Sequence, residues 1–106
     1  MILYHATEKG NALSILRNGL NAGFDGCVYF ADSPENAMKF LFVKMQKGEE
    51  KEIAVFPVNI DDNKVNLSDD HNKDYFKCDA YYVDGDIEKE CLPQNLSDVL
   101  LFKVRK

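Results

Sequence analysis

The chain has 106 residues, 45% of them apolar, with 13 basic and 18 acidic side chains and a net charge of −5. That length allows one core, read as a single domain over 1–106, and that composition excludes a disordered chain. An acidic balance with no long basic run excludes a nonspecific nucleic-acid or anionic-membrane binder, which needs a positive field.

Cys27, Cys78 and Cys91 are odd in number, widely spaced and free of any C-x-x-C pair. They read as reduced thiols rather than a disulfide framework or a zinc site, so no metal is expected. The N-terminus lacks a basic region before its apolar residues, and no apolar run approaches the roughly 20 residues that span a bilayer. A cytoplasmic protein is expected, with no membrane partner.

In chain order, residues 2–6 predict a short strand. From Glu8 to Leu20, Ala12, Ile15, Leu16 and Leu20 recur at three- and four-residue steps, one face of a helix that Thr7 or Asn11 can cap and Gly19 can end. The segment 21–26, NAGFDG, reads as a turn-rich loop, and Val28–Phe30 as a short buried strand. Ser33-Pro34 is a strong helix start, because serine caps and proline fits the first helical position. Ala37, Phe40, Leu41 and Met45 form that helix's buried stripe. IAVFPVNI, 53–60, is the best strand, with Pro57 pointing to an edge position or a bulge. DDNK turns the chain, VNL pairs briefly, and 79–83 and 99–104 supply two further strands. The order β-α-β-α and then mostly β predicts an α+β fold with a curved or split sheet.

Two short words carry chemistry. In LYHAT, His5 stands at a strand end, where a neutral imidazole can donate one hydrogen bond and accept another, which suits a ribose hydroxyl. Thr7 adds a hydroxyl on the same strand face, and the backbone of Ala6 lies between them. In CVYFADSPENAMKF, Tyr29 precedes the loop into the capped helix, and a planar ligand stacked on it gains about 1 kcal/mol beyond area burial. Phe40 offers a second face. Taken singly, a histidine beside a strand and an aromatic within one are more often packed residues. SDDHN places Asp69, Asp70 and His71 together, as an acid/base pair, a weak metal site or a turn cap. The turn cap is preferred because sequence neighbours face different ways, and His71 can still line a cleft rim. No phosphate-cradling glycine loop and no H-E-x-x-H occurs.

Together, YHAT…ILRNGL…CVYFADSPENAMKF resembles the NAD-binding half of the ADP-ribosyltransferase fold, in its diphtheria-toxin-like and poly(ADP-ribose)-polymerase-like branch. The resemblance covers residues 3–41. It implies a split or curved antiparallel sheet with two N-terminal helices, NAD as co-substrate, and His5 on the ribose of the nicotinamide half. It also implies that the Ala6 backbone bonds the carboxamide and that Tyr29 stacks on the nicotinamide within the Tyr29-Phe30-Ala31 strand. Phe40 then stands for the second stacking tyrosine, with Asn36 or Ser33 as a polar helper. The family's carboxylate, which stabilises an oxocarbenium-like transition state, sits on a later strand. In CDAYYVDGDI the strict alignment puts Ala80 there, and Asp79 is the nearest acid. Asp84, Asp86 and Glu88 read as solvated turn acids.

The implied activity is mono-ADP-ribosyl transfer from NAD to an unknown acceptor, with release of nicotinamide. A protein acceptor is favoured over nucleic acid, in the manner of small bacterial or phage effectors. The competing reading is an inactive binding module of the same fold, recognising NAD, ADP-ribose or a protein. RNA 2′-phosphotransfer ranks lower, because Arg17 is the only arginine before residue 105.

Overall fold

IAVFPV is apolar on every residue, and the reason is that both of its faces are covered. In a computed structural model describing residues 1–68 and 80–106, this segment lies within the strand β3 (Glu50–Asn59). Ala54, Phe56 and Val58 enter one core cluster with Leu3, Val28, Phe30 and Leu20. Ile53 and Val55 enter a second cluster on the other face, with Ala31 and Ala37. A strand buried on both faces loses the apolar-polar alternation of a half-exposed one.

The remaining elements are β1 (Ile2–Glu8), α1 (Ala12–Asn18), β2 (Cys27–Ala31), α2 (Pro34–Phe42), β4 (Asn66–Leu67), β5 (Ala80–Asp84) and β6 (Leu100–Arg105). Short 3₁₀ turns stand at 9–11, 62–64, 89–91 and 96–98. The described strands form one six-stranded antiparallel sheet in the order β4-β5-β2-β1-β3-β6, so the fold is α+β with two helices in the N-terminal half. No helix of the described residues is long and apolar enough to cross a membrane.

The helices show where local sequence controls the chain. Ser33 is extended (φ −146°, ψ 158°) and its Oγ accepts the Asn36 N–H at 3.1 Å, while Pro34 opens α2 without losing a hydrogen bond. The expected stripe is present in part within α2: Ala37 is buried and Phe40 and Leu41 are half-buried, whereas buried Met45 lies in the turn beyond the helix. The first helix is shorter than the 8–20 pattern predicts. Residues 9–11 form a 3₁₀ turn, and Asn11 is already helical (φ −90°, ψ −5°), so its side chain does not cap. Instead Asn11 Nδ2 donates to Thr7 Oγ1 at 3.1 Å. Gly19 ends α1 at φ 84°, in a place where a Cβ would run into the Ile87 carbonyl.

The strand carrying Pro57 is neither at the sheet edge nor bulged at this point, contrary to expectation, since β3 lies between β1 and β6 and its register with β1 is unbroken. The β3–β6 register stops at Val55↔Leu100, so Pro57 lies past the end of β6 and pairs only with Tyr4 of β1.

The sheet is joined unequally. The β1–β3 register is unbroken from Ile2↔Asn59 to Glu8↔Ile53, and β2–β5 runs from Cys27↔Asp84 to Ala31↔Ala80. Between β1 and β2 the register holds the single pair Tyr4↔Ala31. A seam therefore opens beside His5, Ala6, Tyr29 and Phe30.

Candidate functional site

The seam is bridged by a side chain where the backbone ladder has ended. His5 Nδ1 lies 2.8 Å from the carbonyl oxygen of Tyr29. A carbonyl only accepts, so Nδ1 carries the proton, and in the neutral ring Nε2 is left as an acceptor. Burial lowers the His5 pKa from its ordinary 6.5, opposed by this hydrogen bond, which favours the charged form. The ring is thus neutral at pH 7. Phe30 braces it edge-on, with ring centroids 5.8 Å apart.

Beside the bridge, between the seam and α2, lies a cavity of about 370 Å³. That is the lower part of the range typical for small-molecule sites. His5, Ala6, Tyr29, Phe30 and Phe40 all line it, so five residues singled out in the sequence meet at one place. Tyr4, Asn21, Gly23, Cys27, Leu41 and Lys44 line it as well and were not singled out. Tyr4, Cys27 and Leu41 carry no signal beyond strand or helix periodicity. Lys44 sits two residues past the end of α2, where a lysine ordinarily reads as a C-terminal charge.

Three expected residues are placed elsewhere. Thr7 is taken up by Asn11. Ala31 is fully buried in the core cluster under α2. Asn36 serves the first turn of α2, its Nδ2 donating to Asp32 Oδ1 at 2.8 Å. Asp79, proposed as the acid, and Asp69, Asp70 and His71 lie outside the described residues, as does Cys78. Among the residues described as lining the cavity there is no carboxylate.

Tyr29 is 41% exposed, so part of its ring surface is open to solvent. Its hydroxyl donates to Asp25 Oδ2 at 2.6 Å, and Asp25 Oδ1 accepts the Cys27 N–H at 3.1 Å. These bonds, the Tyr29 one foremost, hold the Asp25 carboxyl below its usual range. Tyr82, opposite Tyr29 in the β2–β5 register, packs its ring 6.2 Å away at a tilt of 43°. The phenol is therefore held at its tip and its side, which orients the ring.

Cys27 is a poor nucleophile. Burial pushes its thiol up from 9.0, and Asp84, whose Oδ1 lies 3.3 Å from Sγ, pushes it further. Cys27 and Cys91 are both free thiols. No group of three or more His, Cys, Asp or Glu among the described residues is arranged to hold a metal ion.

Other cavities are less suited to a neutral-ring ligand. The one of about 510 Å³ is lined by Glu8, Lys9, Lys51 and Glu52, which are ion-paired as Lys9–Glu52 and Lys51–Glu8. The one of about 450 Å³ gathers Asp61, Asp84, Asp86 and Glu88 around Lys64, an acidic rim without an aromatic ring.

No protein-family model matches the chain, and no curated protein matches it either.

Proposed function

We propose that the seam cavity binds NAD through its nicotinamide and adjoining ribose, in an ADP-ribosyltransferase-like fold, and that the chain is an NAD-dependent mono-ADP-ribosyltransferase. The observation that carries this reading is the His5–Tyr29 bridge: one hydrogen bond fixes the imidazole tautomer and ties it to the strand that presents the stacking tyrosine. Nε2 then accepts from a ribose hydroxyl, the Tyr29 ring covers the nicotinamide, and Phe40 closes the other side. Ala6 pairs with Val55 of β3, has no register partner in β2 and lines the cavity, where its backbone is assigned to the carboxamide.

In the reaction the N-glycosidic bond breaks, nicotinamide leaves with the bonding electron pair, and an acceptor nucleophile bonds to the anomeric carbon as it loses its proton. Positive charge develops on the ribose, and a carboxylate stabilises it. Asp79 is the residue assigned that role.

A second reading is a binding module that holds NAD or ADP-ribose without transfer. It is favoured by the lack of a carboxylate among the described lining residues.

One sample separates the two: calorimetric titration with NAD, followed by assay of released nicotinamide. Binding with release, abolished in Asp79→Ala while binding persists, supports the transferase. Binding without release supports the module. Absence of binding at millimolar NAD removes both.

A further inference from the structure

Lys44 follows the C-terminus of α2, the place where cations ordinarily serve the helix's last carbonyls. In this chain another residue does so. Lys106 Nζ donates to the carbonyls of Phe42 at 3.1 Å and Val43 at 3.4 Å, and stands 5.1 Å from the centre of the Phe42 ring. Lys9, Lys51 and Lys103 are paired with Glu52, Glu8 and Glu50. Lys44 has no such partner among the described residues, and it lines the cavity of His5 and Tyr29.

Within a chain of net charge −5, this cavity has one lysine and no described carboxylate on its walls. Its other lining residues are neutral, among them His5, Tyr4, Asn21, Cys27 and Tyr29. A ligand that matches it carries a planar ring, a hydroxyl for His5 Nε2, and one anionic group for Lys44.

We infer that Lys44 anchors a phosphate, and that the cavity therefore selects a ribosyl heterocycle bearing a 5′-phosphate over the same compound without it. The ring and ribose in this inference rest on the NAD reading; the phosphate anchor rests on Lys44 alone. A lysine acts on phosphate as a point charge, and at a solvent-open rim that charge is screened by salt.

The test is calorimetric titration of the wild type, Lys44→Gln and Lys44→Arg with nicotinamide mononucleotide and with nicotinamide riboside. The wild type is expected to prefer the mononucleotide by about tenfold at low salt, a preference that shrinks as salt is added. Lys44→Gln should bind both compounds alike, Lys44→Arg should keep the preference, and the riboside affinity should stay the same in all three proteins. That last reading also reports that each variant is folded. If Lys44→Gln keeps the wild-type preference, the phosphate is held elsewhere and this inference fails while the NAD reading stands. If the wild type binds neither compound, the NAD reading fails and takes this inference with it. If inorganic phosphate displaces the mononucleotide at equal concentration, the ribosyl part adds nothing and the ligand class is overturned.

Discussion

The two halves of the sheet are joined to their neighbours very differently. In β1-β3-β6 the central strand is paired along most of its length, and Ile53, Ala54, Val55 and Phe56 are wholly inaccessible to solvent. In β4-β5-β2 the strands are short, Tyr29 is exposed, and one register pair ties the half to β1. The first half is a scaffold, and the candidate site stands where the second half parts from it. A cleft needs unpaired backbone and unfilled volume, and a fully laddered, fully packed region supplies neither.

Breaking the scaffold should have the largest effect. Phe56→Ala removes a wholly buried ring from the middle of β3 and is expected to cost about 3–5 kcal/mol of folding stability in urea denaturation. A loss below about 1 kcal/mol would show that β3 is not the centre of the core.

The second half has its own fastening to α1, where Leu20 and Ile87 exchange backbone hydrogen bonds at 2.9 and 2.8 Å just past Gly19. Gly19→Ala combines a positive φ with a collision against the Ile87 carbonyl, and is expected to destabilise by more than about 1 kcal/mol. Gly26→Ala, also at positive φ (81°) but with nothing near its Cβ position, should cost less. Equal losses in the two variants would mean that the close approach to Ile87 contributes nothing.

His5 tests the seam itself. Between its lowered native pKa and 6.5, the unfolded chain binds a proton that the native state does not, so stability rises with pH across that window. His5 therefore costs the fold nothing above pH 6.5 and destabilises it progressively as the pH falls below. The difference in stability between wild type and His5→Gln should shift in that direction over the same range, measured by denaturation at several pH values. A difference that stays flat would mean that the imidazole is not shielded at the seam.

The smallest effect is expected from Tyr29→Phe. It removes the hydrogen bond to Asp25, an exposed one, and should change stability by no more than about 1 kcal/mol, while the ring remains for stacking. A large loss of NAD affinity with stability intact would show that the hydroxyl, rather than the ring, contacts the ligand.

Much of the local structure was legible. Ser33-Pro34 set the start of α2 because the cap and the fixed φ of proline act within one turn, whatever lies further away. Gly19 ended α1 for the same kind of reason, and the spacing of Ala12, Ile15, Leu16 and Leu20 marked the face that packs into the core. The start of α1 was misjudged, since nothing local distinguishes a 3₁₀ turn at Lys9–Asn11 from the first turn of an α-helix. Of the candidate site, His5, Ala6, Tyr29, Phe30 and Phe40 line one cavity, although His5 and Tyr29 stand in the middle of β1 and β2 rather than at the strand end expected for His5. Thr7 and Asn36 hydrogen-bond to Asn11 and Asp32 in neighbouring turns instead of lining the cavity, because a hydroxyl or amide is as readily taken up by a local turn.

What the sequence determined by itself is the set of elements and their faces, since caps, proline, glycine and apolar period act over a few residues. The tertiary structure decided the strand order, the single-pair junction of β1 with β2, and the arrival of Lys106 at the end of α2, which leaves Lys44 beside the cavity. Each of these depends on segments distant in sequence being brought together, up to 64 residues apart for Lys106 and Phe42, and no local pattern encodes which of two nearby lysines a helix end will hold.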